Sequence, residues 1–494
     1  MARISDERSP AGEVSALADP GVSHAPAVEQ HGYDFIREED RYLRPRSLFS
    51  FWWGANITVI YMVAGAIVIS LGLSLWESAL IIVAGTFGFL AIGYASVSGP
   101  RTGLPTMTFT RAAFGVRGNR FNAFLAWLVQ IGAECLNAVL IVLALQAMAA
   151  ELGWHNPGKG GTAAFVIIAM LIPALIAIYG HKLLFLAQKW IAIALSVVLV
   201  LVACFTVGKI NWSFPATVHG TGPHIGALLL GLAVVVANPL SYANVAGDYA
   251  RYLPSKTSAK AVAWWTFAGV GIISVLLELL GAGIFTRAPG IGADPISGFR
   301  ALIPGWLYVI FIINGFFGAA ANNAITFYSS GLTMQSMGMP LHRWRATLID
   351  FVLSTVIVLY IELFDQSLQS VFADYLAFLN VWAAPFFAVY LTDAILRRWR
   401  FDPAGIHTVS AESPYWGRSG LNVAGIVSML AGMGVGFLTV HAPVYVSPLA
   451  SALWGGDISW LAPFAVSCAL YWLLAAPSLR ETTAITRASD PAAQ

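Results

Sequence analysis

Twelve apolar stretches of about 18 residues or more run through this chain. They lie near residues 48–72, 78–97, 120–149, 163–180, 187–208, 225–245, 261–286, 303–334, 346–363, 370–396, 420–440 and 457–477. A bilayer's hydrocarbon core is about 30 Å thick and offers no water to backbone N–H and C=O groups, so an apolar run of this length crosses it as a helix. The stretches predict an all-α integral membrane protein with twelve transmembrane helices, helix 1 to helix 12. Composition agrees: 58% of the 494 residues are hydrophobic and 11% are charged, where a soluble domain carries about 25% charged residues. So few charges cannot coat a soluble multidomain enzyme, and a net charge of +2 gives no footprint for nucleic acid.

The 27 Lys and Arg fix an expected orientation. One side of the predicted bundle keeps only Lys159, Lys209, Arg287 and Arg300, and the rest fall on the side of both tails. By the positive-inside rule both termini are expected in the cytoplasm. Residues 1–47 are polar and mixed in charge, with no cleavable signal, and read as a cytoplasmic tail. Met1–Gln30 and Ala484–Gln494 are too polar to bury a core. Phe35–Arg46 reads either as a strip along the headgroups or as a solvated linker. Cys135, Cys204 and Cys468 sit in apolar stretches without metal-ligand spacing. No Walker loop, nucleophile elbow or H-E-x-x-H occurs, so an ATP-driven pump or a membrane protease finds no support and no enzyme is expected.

Polar residues inside apolar helices are costly, and they mark where function is expected. Helix 3 carries Gln130, Glu134 and Asn137 at offsets of four and three, which places them on one face. They read either as interhelical hydrogen bonds or as a substrate or proton site. In helix 6, Pro239 removes a backbone donor among Asn238, Ser241 and Asn244, so a mid-membrane break or kink is expected there. Helix 1 offers a counterpart in Trp53-Gly-Ala-Asn-Ile-Thr58, weakened at Gly54 and close to Asn56. Interrupted helices in corresponding positions point to a transporter with inverted repeats. Helix 8 places Asn322 and Asn323 after a run of small residues, either as packing contacts or as donors and acceptors for a heterocycle's edge. Glu278 and Asp374 are weaker candidates. Asp248, Asp350 and Asp393 lie near Arg251, Arg345 and Arg397 and are expected in ion pairs or gate contacts. The histidines suggest no metal site.

Gly99-Pro-Arg-Thr-Gly-Leu-Pro-Thr-Met107 followed by Arg111-Ala-Ala-Phe-Gly-Val-Arg-Gly-Asn-Arg120 resembles the nucleobase–cation symporter family one, most of all its purine–cytosine permease branch. Gly247-Asp-Tyr-Ala-Arg-Tyr-Leu-Pro254, Tyr328-Ser-Ser-Gly-Leu332 and Phe378-Leu-Asn380 agree, and the likeness spans about residues 34–480. It implies a LeuT-type five-plus-five inverted repeat plus two C-terminal helices. The first repeat would be residues 48–208, the second 225–396 and the extra pair 420–477, with 478–494 as the C-terminal tail. It also implies alternating access and cation-coupled import of nucleobases or related heterocycles.

The family stacks its planar ligand between an aromatic on helix 3 and one on helix 6. Here Ala133 and Pro239 stand at those places, while Asn137 matches the family's amide. Trp53, Tyr242 or Phe327 is the expected substitute, or the ligand is not a simple planar base. Sodium-dependent members place two hydroxyls on helix 8, where this chain has Ala319, Ala320 and Ala321. Proton coupling through Glu134 is therefore expected over sodium.

The expectation is a multi-pass transporter of the cell membrane, importing a cytosine- or purine-like base. Asn137, Glu134, Asn238, Asn322, Asn323, Asn56 and Gly54 form the binding set, and Glu134 is the proton-coupling group. No cofactor or metal is expected, and the partners are a small heterocycle and the lipid bilayer. A symporter of allantoin, a hydantoin or a vitamin precursor is the alternative, with a channel less favoured.

Overall fold

The computed structural model describes residues 34–339, 341–364 and 368–488, and helices occupy each of the twelve predicted positions. Helix 1 is two pieces, α1 (Ser47–Asn56) and α2 (Ile60–Ser70), and helix 2 is α3 (Leu75–Thr86) with α4 (Gly88–Ala95). Three short turns follow: α5 (Ser98–Thr102), α6 (Thr106–Phe109) and α7 (Arg111–Phe114). Helices 3 to 7 are α8 (Gly118–Glu151), α9 (Gly158–Tyr179), α10 (His181–Thr206), α11 (Thr221–Leu240) and α12 (Ala259–Phe285). Helices 8 to 10 are α13 (Gly305–Ser336), α14 (Arg343–Leu363) and α15 (Leu368–Leu396). After the short α16 (Pro403–His407), the last two positions hold α17 (Val423–Thr439) and α19 (Ala462–Ala488) around a two-stranded hairpin and the short α18 (Pro448–Ala452).

Among the described residues nine helices are long and apolar enough to cross a membrane, or ten with α1 and α2 taken as one span. Val423–Thr439 and Ala462–Pro477 are shorter apolar helices.

The first helix bends by 63° between α1 and α2. Its break falls at Ile57–Val59. The break is therefore not at Gly54, the expected weak point. Gly54 lies inside α1 because a Cβ there would sit 2.2 Å from the Gln188 carbonyl oxygen of α10. Pro239 does terminate a helix: α11 ends at Leu240, and the chain continues through turns bonded three residues apart, such as Tyr242 N–H to Pro239 O at 3.0 Å.

α10 begins at His181 rather than near 187, which turns the expected loop 181–186 into helix and carries Gln188 into the interior. α19 continues past Pro477 to Ala488, so most of the expected C-terminal tail is helical. Residues 1–33 and 489–494 of the expected tails lie outside the described residues.

Phe35–Arg46 is not a free linker but is bonded to the rest of the protein. Ile36 is fully buried and its N–H donates to Gly103 O, while Leu43 N–H donates to Tyr252 O. Arg41 Nη1 donates to Pro100 O at 2.6 Å and Leu253 O at 3.2 Å. This strip ties down a crossing of residues 98–106 over 247–253. There Gly247 N–H donates to Thr106 Oγ1 and Thr106 N–H to Asp248 Oδ1, both at 2.8 Å. A Cβ on Gly99 would meet Gly247 O at 2.5 Å. Nearby, Tyr390 Oη donates to Ala95 O at 2.7 Å.

α2 and α12 approach equally closely. A Cβ on Gly65 would lie 1.9 Å from Glu278 O, and one on Gly281 2.1 Å from Met62 O. Of the acids expected in ion pairs, Asp393 pairs with Arg397 at 2.9 Å. Asp350 does not pair with Arg345; it accepts from Trp127 Nε1 at 2.6 Å, and Arg345 lies over the Trp344 ring.

Candidate functional site

Where α1 stops, its last carbonyls lose their helical partners, and the neighbouring helices supply new ones. Asn322 of α13 donates through Nδ2 to Ala55 O at 2.8 Å, and its Oδ1 accepts from Asn137 Nδ2 of α8 at 2.9 Å. Asn56 donates to Trp52 O, and its Oδ1 accepts from the hydroxyls of Tyr61 and Tyr242, both at 2.6 Å. Tyr242 belongs to the turns after α11. The two interruptions are thus tied together by one tyrosine, and α8 joins them through an amide pair.

A cavity of about 70 Å³ lies against this junction. Gln130 and Ala133 of α8, Ser241, Tyr242 and Tyr249 after α11, Asn322 and Thr326 of α13, and Tyr375 of α15 line it, with aliphatic residues. No formally charged side chain is among them. Gln130 is 4% exposed, and among the described residues neither its Nε2 nor its Oε1 has a hydrogen-bond partner. Asn137 Oδ1 is likewise buried and unpaired. A buried amide left without partners costs about 1–3 kcal/mol per group. The arrangement is suited to a neutral polar molecule with both donors and acceptors on its edge.

The tyrosines supply flat apolar surface. Trp52 meets the rings of Tyr242 and Tyr249 edge-on at 5.1 and 5.2 Å. Tyr375 packs against Gly132, where a Cβ would meet its ring carbon at 2.7 Å. Of the three aromatics expected to compensate for Ala133 and Pro239, Tyr242 lines the cavity. Trp53 instead donates to Ser196 Oγ of α10 at 2.8 Å, and Phe327 is fully buried. Pro239 faces Gly88 of α4.

The expected binding residues separate into three groups. Asn322 lines the cavity, with Asn137 and Asn56 joined to it directly or through Tyr242. Asn238 donates to Glu278 Oε1 at 2.7 Å, and Gly54 serves the contact of α1 with α10. Glu134 and Asn323 face away, between α8, α13 and α14: Asn323 Nδ2 donates to Glu134 O at 3.2 Å, and Glu134 Oε2 accepts from Ser354 Oγ at 2.5 Å. At about 100° per residue Glu134 lies a quarter turn round from Ala133, so spacing alone did not separate the cavity face from its shoulder.

Gln130 lies on the polar face of helix 3 yet outside the expected binding set; Tyr249 and Tyr375 carry no sequence signal beyond being aromatic. Gln188, at the start of the expected helix 5 and not singled out by the sequence, is buried and donates through Nε2 to Ala321 O at 2.9 Å. A larger cavity of about 230 Å³ lies between α2, α11 and α15 and the hairpin. Its Asp457 is already bonded to the N–H groups of His441 and Ser459.

A broken first helix, a second helix ended by proline and a polar junction between them define a multi-pass membrane transporter rather than an enzyme. The sequence profile of the family described as "Permease for cytosine/purines, uracil, thiamine, allantoin" matches residues 35–462, and the chain belongs to that family.

Among relatives, the "Putative purine-cytosine permease YxlA" of Bacillus subtilis is 27% identical over 92% of this chain and 97% of its own length. The "Purine-cytosine permease fcyB" of Emericella nidulans is 24% identical over 92% and 87%. A structure of Mhp1, described as a nucleobase-cation-symport-1 family transporter in a closed conformation with bromovinylhydantoin bound, superimposes with a TM-score of 0.74. It is 15% identical, with 91% of this chain and 96% of that one covered, and the likeness shows the fold.

Proposed function

We propose that this chain imports a neutral nucleobase, or a closely related nitrogen heterocycle, across the cell membrane by proton symport and alternating access, with both termini in the cytoplasm. The observation that carries the reading is the uncharged cavity, in which the free amide of Gln130 stands beside three tyrosines and Asn322. An amide donates and accepts side by side, which matches the adjacent N–H and C=O (or ring N) of such a ring, and tyrosine faces offer stacking. The purine–cytosine permease names of its relatives support the same substrate class.

Protons are favoured over sodium for two reasons. Sodium is a hard cation that needs oxygen ligands, and Ala319, Ala320 and Ala321 offer no side-chain oxygen. In addition, the Ala55 carbonyl at the break already accepts from the Asn322 amide. Glu134 supplies a titratable group one helix face from the cavity.

The test is uptake of labelled cytosine, adenine, hypoxanthine and allantoin into proteoliposomes under a proton gradient and, separately, a sodium gradient. The expected result is proton-driven accumulation of one base, lost in Glu134→Gln while the variant still elutes as folded protein. Uptake of allantoin alone would replace the base with a non-aromatic ring, and sodium-driven uptake would overturn the coupling assignment.

A further inference from the structure

The cavity lining holds no carboxyl to carry a coupled proton, and a second polar cluster lies on the other side of α8. Glu134 and Asp350 are both fully buried, on α8 and α14. One oxygen of each is bonded, Glu134 Oε2 by Ser354 Oγ and Asp350 Oδ1 by Trp127 Nε1. The other oxygen of each, Glu134 Oε1 and Asp350 Oδ2, has no partner among the described residues. The Ser330 hydroxyl of α13 lies beside both carboxyls, and its Oγ is not committed to another partner among the described residues.

Among the described residues neither acid is in an ion pair, and Arg345 on α14 lies over the Trp344 ring instead. Cys135 on α8 directs its thiol to Ser354 O, and α13 contains no acidic or basic residue. On α9 the one charged residue is Lys159 at its start. On α15, Asp393 is held by Arg397 and Asp374 accepts from Val444 N–H.

Two carboxyls buried together without a counter-cation cannot both be ionised, because each charge would be desolvated and would repel the other. We propose that Glu134 and Asp350 share a proton across the Ser330 hydroxyl and together form the coupling site, with Asp350 as its second carboxyl. This rests on the proton-symport reading and extends it from one residue to a pair. The link to the ligand is short. Adjacent residues of α13 serve both sites: Asn323 holds the Glu134 carbonyl, while Asn322 holds Asn137 and Ala55 at the cavity. A shift of α13 against α8 that opens one site therefore disturbs the other. Loss of the proton to water on one side then sets the pair for reloading on the other.

The decisive experiment uses the full chain in lipid and has two readouts. Infrared difference spectra between low and high pH need no substrate. The wild type is expected to show a protonated-carboxyl band that is lost in Asp350→Asn and in Glu134→Gln, and shifted in Ser330→Ala. In proteoliposomes, Asp350→Asn is expected to lower proton-driven accumulation of the transported base about tenfold or more while counterflow exchange continues, since exchange needs no net proton movement. Asp350→Glu, which keeps a carboxyl, is expected to recover part of the accumulation and guards against a variant that simply fails to fold.

A carboxyl band that survives in both Asp350→Asn and Glu134→Gln overturns the proposal, and so does undiminished accumulation in Asp350→Asn. Sodium-dependent uptake that requires both acids would make the pair a metal site and overturn it too. If the wild type transports none of the bases, the substrate reading fails while the infrared result still decides on the pair.

Discussion

The cavity beside the break in α1 and the crossing of residues 98–106 over 247–253 are both buried and both rich in polar groups, yet their hydrogen bonds are in opposite states. At the crossing, Arg41, Thr106, Asp248 and Tyr390 all bond across segments distant in sequence. At the cavity, both ends of Gln130 and one end of Asn137 are unpaired. The crossing contains the segments whose sequence most resembles the family, and the cavity contains little of them. Bonding that is complete within the chain holds it in shape. Bonding left open is available to a ligand.

The sharpest way to break this contrast is at Gly99. Gly99→Val would force a side chain into the Gly247 carbonyl; overpacking of this kind costs about 1–3 kcal/mol where neighbours can yield, and backbone cannot. Loss of a monodisperse peak in detergent is the expected result, and an unchanged melting temperature would show that the crossing is looser than described.

Asp248 gives the crossing a pH signature. Burial pushes its carboxyl up to about 6, against the Thr106 N–H that favours the charged form. The folded state then holds the proton more tightly than the unfolded state, so stability falls as pH rises from about 4 to about 6 and levels off above, by roughly 2–3 kcal/mol. Melting temperatures across that range are expected to lose this slope in Asp248→Asn; a slope that persists would assign it to another group.

Gln130→Leu probes the cavity instead. KM for the transported base is expected to rise about tenfold, the worth of one hydrogen bond of about 1–1.5 kcal/mol, without a drop in melting temperature, because the amide has no partner to lose. Unchanged KM would move the ligand elsewhere. Tyr242→Phe sits between the two regimes, since its hydroxyl bonds Asn56 and reaches Asn322. About 1 kcal/mol of stability is expected to go, readable as a small fall in melting temperature.

Hydrophobic length made the twelve helical positions legible, and Pro239 marked a true helix end. The break in α1 falls at Ile57–Val59 rather than at Gly54, which provides close approach to Gln188. Asn322, Asn137 and Asn56 were legible as amides at the interruptions. Glu134 was legible as buried but not as facing α14, since offsets of three and four cannot resolve a helix's face from its shoulder. Tyr249 and Tyr375 reach the cavity through packing between distant segments, which no local pattern encodes. Asp350 lay near Arg345 in sequence, but one helical turn and a different azimuth put it with Trp127 instead.

The glycine contacts between α2 and α12 carry a mechanical consequence. With Gly65 against the Glu278 carbonyl and Gly281 against that of Met62, the two helices meet backbone on backbone. Side chains can roll over one another, but two main chains at this distance cannot slide without collision, so the second half of the broken helix and α12 travel as one body. The slip plane of any access cycle must then lie among interfaces cushioned by side chains, and the seam of α8 with α13, where amides hold both the cavity and the buried acids, is such an interface.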